Sequence, residues 1–194
     1  NLRSAVSIAR RLQDPLAELV KIDPKAIGVG QYQHDMPPKR LDEALSGVVE
    51  DCVNAVGVDV NTASPSLLRQ VAGLTATTAK NIVKYREDNG PFTTRKQLLK
   101  VPKLGPKAYE QCAGFLRVPE SKAVLDNTAV HPESYAAAER LLELTGYAMS
   151  DVAAGKLADL DSRIREKGAE TLAEACGVGV PTLLDVAKEL QKPG

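Results

Sequence analysis

The chain has no tryptophan and only two phenylalanines and five tyrosines among its 194 residues. So few rings leave little on which bases could stack, which argues against base-specific reading of a single strand. His34 and His131 are the only histidines. No nucleophile or third partner accompanies His34-Asp35, and no carboxylate cluster follows a strand as a two-metal nuclease requires. His131-Pro132 falls in a loop pattern, where exposure or capping is the expected role. Cysteine is scarce too: Cys52, Cys112 and Cys176 are odd in number, widely spaced and set in apolar helical patterns. Buried free thiols are expected there, not disulfides or metal ligands, which suits a reducing cytoplasm. Nothing calls for a cofactor. No apolar run approaches the length of a membrane span and no signal peptide is visible, so no membrane partner is expected.

Neither sign of charge dominates, with 25 Lys and Arg against 25 Asp and Glu, but the balance is segregated. Residues 80–122 hold 10 basic side chains (Lys80, Lys84, Arg86, Arg95, Lys96, Lys100, Lys103, Lys107, Arg117 and Lys122) against 4 acids, hence +6. Residues 123–175 hold 5 basic against 10 acidic, hence −5. A concentrated basic block is the footprint of phosphate binding. Tyr85, Phe92, Tyr109 and Phe115 interleave with it, and Phe92 and Phe115 suit a core better than a stacking platform.

Inside and beside that block, Val60–Pro119 reads as two consecutive helix–hairpin–helix units. The first is Leu67–Ile82: Leu67, Leu68 and Val71, then Ala72-Gly73-Leu74-Thr75, then a helix with Ala79 and Ile82. The second is Leu98–Phe115: Leu98, Leu99 and Val101, then Pro102-Lys103-Leu104-Gly105, then a helix opened by Pro106-Lys107. Ser64-Pro65 marks a helix start, Thr75 or Thr77 can cap the next, and Asn89-Gly90-Pro91 closes it. In such a unit the free N–H groups of the hairpin and of the second helix face one spot in solvent, and a phosphate fits there. The usual hairpin is Gly–apolar–Gly. Here Thr75 replaces the second glycine of the first copy and Lys103 the first glycine of the second. Two copies about 31 residues apart are a stronger signal than one. The expected contacts are Gly73, Leu74, Thr75, Lys80, Lys103, Leu104, Gly105 and Lys107. A third hairpin, Gly177-Val178-Gly179, lies among Glu170, Glu174 and Asp185, with no basic residue between Lys167 and Lys188. A phosphate would be repelled there, so a structural or partner-binding use is expected.

The periodicity elsewhere predicts helices at Leu2–Leu12, Leu16–Ile22, Lys39–Val56, Ser134–Leu144 and Asp151–Lys167. Ile27–Tyr32 reads as a short strand or extended linker; its Gly28-Val29-Gly30 lacks the third glycine and following helix of a dinucleotide site. The fold class is therefore all-α: a tandem helix–hairpin–helix (SAM/HhH-like) domain at residues 37–120, then a second small helical domain at 121–194. Residues 1–36 are too few to close a core. A start in mid-helix pattern without methionine suggests part of something longer.

The strings SIARRLQDPLAELVKIDPKAIGVGQYQHDM (7–36), VVEDCVNAVGVDVNTAS (48–64), YREDNGPF (85–92) and VHPESYAAAERLL (130–142) resemble the Tex family of bacterial transcription accessory proteins. The resemblance covers essentially all of the chain. It implies that residues before about Asp35 are the tail of an RNase-H-like domain, followed by tandem helix–hairpin–helix units and a small helical domain. An OB-fold RNA-binding domain would come next. It also implies nucleic-acid binding, DNA or RNA without sequence preference, and association with the transcription machinery. Val60–Leu116 alone resembles the DNA-binding repeat of bacterial competence receptors, which keep both hairpin glycines. Three readings follow: a non-catalytic nucleic-acid-binding module, a docking scaffold with architectural hairpins, and a repair enzyme. The missing acids, bases and ligands disfavour the third.

Overall fold

A computed structural model describes residues 2–28 and 30–192. By contacts the chain divides into two units: residues 1–91 with 98–115, and residues 92–97 with 116–194. Unit 1 opens with α1 (Leu2–Gln13) and α2 (Pro15–Leu19), split by Asp14, whose carboxylate accepts from Ala17 N–H and caps α2. The polar side of α1 faces its neighbour. Ser7 Oγ donates to Glu18 at 3.0 Å, and Lys21 binds the same carboxylate, holding it below the usual carboxylate range. The apolar side points outward, with Leu2 86% and Leu12 92% exposed.

The strand expected at Ile27–Tyr32 is not there among the described residues. Asp23 caps a 3-10 turn at Pro24–Ile27, Gly28 takes a left-handed φ of 72°, and a second 3-10 turn follows at Gln33–Asp35. Val29, within that expected strand, lies outside the described residues. Extended backbone appears instead as the two-residue pieces β1 (Val58–Asp59) in unit 1 and β2 (Leu116–Arg117) in unit 2.

Helix α3 (Pro38–Val56) stops at Gly57 as its sequence predicts. Only Leu41 and Val53 of its apolar residues are buried, and Val48, Cys52 and Val56 are exposed, so the expected buried thiol at Cys52 is not found. The hairpin motifs then build the core of unit 1. Ser64 caps α4 (Pro65–Leu68), and α5 (Ala76–Asn89) follows the first hairpin. The second motif has only a 3-10 segment, Arg95–Lys100, as its first arm, before α6 (Pro106–Cys112). Leu68, Val71, Leu74, Ile82, Leu98, Val101, Leu104 and Cys112 are all buried.

Unit 2 packs α7 (Tyr135–Thr145), α8 (Met149–Ala153), α9 (Leu160–Lys167), α10 (Ala169–Cys176) and α11 (Val180–Gln191) around Leu141, Leu160, Ile164, Leu172, Leu183 and Leu190. The single helix expected over Asp151–Lys167 is two, because the chain turns at Gly155 with φ 66°. Arg95 is the polar centre of unit 2. It is 1% exposed, and its guanidinium donates to the carbonyls of Leu116 (2.8 Å), Leu125 (3.2 Å), Val130 (2.7 Å) and Thr128, and to Tyr135 Oη. These neutral acceptors surround the buried guanidinium, and Asp126 accepts from the backbone N–H of Arg95 and from Tyr135 Oη.

Candidate nucleic-acid interface

The two hairpins of unit 1 have one backbone in a register of 30 positions. Gly73 (φ 79°) and Lys103 (φ 66°) are its left-handed residues, and Lys103 is the only non-glycine with positive φ among those described. In each copy the next residue is a buried leucine whose N–H closes a tight turn: Leu74 to Val71 O and Leu104 to Val101 O, both 3.1 Å. Leu74 and Leu104 therefore anchor the hairpins. Their side chains face the core and their N–H groups are bonded within the turns.

The copies differ at the mouth. In the first, Thr75 and Thr78 form a capping box: Thr75 N–H donates to Thr78 Oγ1 at 2.7 Å, and Thr78 N–H to Thr75 Oγ1 at 3.2 Å. Thirty positions on stand Gly105 and Ala108, which have no side-chain oxygen to offer, and Gly105 caps α6 without a side chain. Among the described residues no acceptor within the chain meets the N–H of Gly105, Lys107 or Ala108. The first copy leaves Gly73, Ala76 and Thr77 open. Two donors closed in one hairpin are thus open in the other.

Charge follows the same asymmetry. Lys103 and Lys107 are exposed and have no ion-pair partner among the described residues, whereas their counterparts are Gly73 and Thr77. Lys80, also exposed, sits one turn deeper in α5, and its counterpart is Glu110. The first hairpin offers backbone and hydroxyls, and the second backbone and two ammonium groups. The basic block is smaller than the sequence count suggests. Arg95 and Arg117 are buried, and Arg117 is pushed down to about 10 by burial and by nearby Arg95. Arg86 turns inward to donate to Val60 O at 2.6 Å, and burial lowers its pKa. Exposed Lys80, Lys84, Lys100, Lys103 and Lys107 remain on unit 1. No feature of local sequence marks which arginines fold inward.

The motifs also seat one another. A Cβ built on Gly73 would lie 2.5 Å from Gln111 Cβ and 3.2 Å from Ala108 O, so the first hairpin rests on α6. Asn81 of α5 donates to Pro102 O of the second hairpin at 2.7 Å. Asn81 and Gln111 are counterparts in the same register, and this reciprocity is what a two-fold relation between the motifs produces. Sequence reasoning passed over both residues.

Unit 2 has its own pair of glycine hairpins, of which only the second was legible. Gly177 (φ 69°) and Gly146 (φ 75°) each end a helix with the same bonds: Gly177 to Glu174 O and Val178 to Ala173 O, Gly146 to Glu143 O and Tyr147 to Leu142 O. Asp151 accepts from Ala148 N–H at 2.8 Å. Arg163 donates to Thr145 O at 2.6 Å and lies 4.0 Å over the Tyr147 ring. The chain's own groups occupy that hairpin. His131 caps the turn at Pro132–Ser134 by accepting from Glu133 N–H, as expected of it. Among the described residues no three His, Cys, Asp or Glu side chains gather as a metal site would need, and no helix is long and apolar enough to cross a membrane.

Residues 53–117 match the helix–hairpin–helix motif family, and residues 123–194 match the family described as the HHH domain. The chain is therefore a tandem helix–hairpin–helix protein. It is 57% identical over all its residues to a protein named YhgF of Escherichia coli, covering 24% of that protein. It is 55% identical over its whole length to the transcriptional accessory protein Tex of Neisseria gonorrhoeae, covering 25% of it. A human protein named S1 RNA-binding domain-containing protein 1 is 42% identical over 242 aligned residues, with 24% of its length covered. The chain is similar to these proteins over its whole length and spans about a quarter of theirs.

Proposed function

We propose that unit 1 is a non-catalytic, sequence-independent nucleic-acid-binding module of a cytoplasmic transcription accessory factor. Gly73, Thr75, Lys80, Lys103, Gly105 and Lys107 meet the phosphate backbone, with Leu74 and Leu104 as anchors beneath them. The carrying observation is the second hairpin, where open N–H groups at Gly105, Lys107 and Ala108 stand beside the unpaired ammonium groups of Lys103 and Lys107. Phosphate contacts position a protein on nucleic acid without reading sequence, which agrees with the scarcity of exposed rings. The names of the relatives, one a transcriptional accessory protein and one an S1 RNA-binding domain-containing protein, support the same role.

The test is a salt titration of binding by the 194-residue chain to duplex DNA, single-stranded DNA and RNA. Affinity should fall linearly on logarithmic axes, with nearly one unit of slope per phosphate contact. Binding that is absent at low salt, or indifferent to salt, overturns the proposal. The second reading is a scaffold docking on the transcription machinery, and the outward apolar side of α1 favours it. Retention of RNA polymerase by a chain that binds no nucleic acid would decide for the scaffold.

A further inference from the structure

Asn81 lies six residues into the second helix of the first motif, yet its amide serves the hairpin of the second. The acceptor, Pro102 O, directly precedes Lys103, whose left-handed backbone is unfavourable for a residue with a side chain. Strained backbone persists where its surroundings over-determine it. Leu104, buried below, holds the hairpin from one side, and Asn81 holds the peptide that enters Lys103. The first hairpin is restrained differently: Ala72 N–H donates to Asn54 Oδ1 at 3.2 Å, the capping box closes the mouth, and Gly73 packs on Gln111. Pro102 has no N–H for such a bond, and Gly105 and Ala108 form no box. The carbonyl bond from Asn81 is thus the side-chain tie that the second hairpin has to the first motif's helix.

We propose that Asn81 is a positioning residue for nucleic-acid binding. It fixes the Pro102–Lys103 peptide, and through it the direction of the Lys103 side chain and of the open Gly105 N–H. The proposal rests on the phosphate-contacting role of the second hairpin.

The experiment uses the full chain and two variants. Asn81→Leu keeps size and charge but removes the donor, and Asn81→Gln keeps an amide. Asn81→Leu should weaken binding to a short duplex about three- to tenfold, as loss of one neutral hydrogen bond allows, and should lower the salt slope. In NMR spectra the amides of Leu104 and Gly105 should shift while those of Leu74 and Thr75 stay. Asn81→Gln should recover part of the affinity. Unchanged affinity and slope in Asn81→Leu, in a wild-type chain that does bind, overturn the proposal and leave the phosphate reading standing. A wild-type chain that binds no duplex defeats the phosphate reading, and the positioning role with it. Shifted Leu104 and Gly105 amides in that case leave Asn81 as architecture.

Discussion

At Gly73-Leu74-Thr75 and again at Lys103-Leu104-Gly105 the chain makes the same turn, with the same left-handed first residue and the same buried leucine. Around that common turn the donors at a helix opening are handled in opposite ways. Every helix start leaves N–H groups without intrahelical partners, and a protein can satisfy them itself or leave them for something else. The first hairpin satisfies two of its own through Thr75 and Thr78; the second, with glycine and alanine at those places, cannot. The side chains follow suit: the left-handed residue is glycine where it faces α6 and lysine in the copy that presents it to solvent. A repeated motif can thus divide its labour, one copy giving rigidity and the other an open face.

The largest effect should come from erasing the difference at the left-handed residue. Gly73→Ala meets both a positive φ and a Cβ contact of 2.5 Å. The first costs about 1–2 kcal/mol and the overpacking another 1–3. Chemical denaturation should show unit 1 weakened by roughly 2–5 kcal/mol on those two terms. A loss under about 1 kcal/mol would mean that Gln111 yields easily and that the hairpins are not seated on each other's helices.

Next comes the charge of the open hairpin. Replacing Lys103 and Lys107 together by Glu should lower affinity at least about tenfold, by similar factors for unrelated sequences. The Ala pair should lower the salt slope by nearly one per lost contact. Glu at Lys188 and Lys192, at the far end of α11 from the Gly177 hairpin of unit 2, should do little. Equal losses at the two places would mean that net charge alone matters.

Much of this was legible beforehand, and the reason is local. Glycine or lysine at a left-handed position, followed by leucine and flanked by apolar residues at helical spacing, is decided within a dozen residues, and both hairpins were read correctly. The Gly146 hairpin was missed because Gly146-Tyr147-Ala148 carries no second glycine. The strand forecast at Ile27–Tyr32 failed because Asp23, Pro24 and Gly28 favour a capped 3-10 turn, and short-range capping outweighed a brief apolar alternation. Charge counting also misled. Arg95 sits among lysines in sequence, but its carbonyl acceptors come from residues 116–130, and long-range partners leave no mark on composition. The division between closed and open hairpins was missed for a subtler reason. It depends on Thr78, three residues beyond the N-cap Thr75, filling the place where a capping box usually carries Glu or Gln.

The capping box gives a smaller and separable effect. Thr78→Ala removes the Oγ1 that accepts from Thr75 N–H and leaves Thr78's own N–H bond to Thr75 intact. Loss of a cap of this kind costs typically about 1 kcal/mol, so the thermal midpoint should drop by a few degrees. Duplex affinity should hold steady or rise slightly, because a donor is opened where only the second hairpin had one. A marked fall in affinity with the fold intact would show that the first hairpin works through its hydroxyls, and the contrast between the copies would fail.

Lys103→Gly is the smallest and sharpest change. Relief of the left-handed strain at φ 66° returns about 1–2 kcal/mol. Greater freedom of glycine in the unfolded chain takes back roughly 0.5–1 kcal/mol. The net should be a gain of about 0.5–1 kcal/mol, visible as a slightly higher denaturation midpoint. If Lys103 meets a phosphate, the same variant should bind duplex less tightly and lose nearly one unit of salt slope. Stability and binding would then move in opposite directions at a single residue. A variant that is more stable and binds as well as before would leave the strain without a purpose in binding. A variant that is less stable would show that the lysine stem packs on its surroundings, and that the second hairpin is held by its side chain as firmly as the first is held by its glycine.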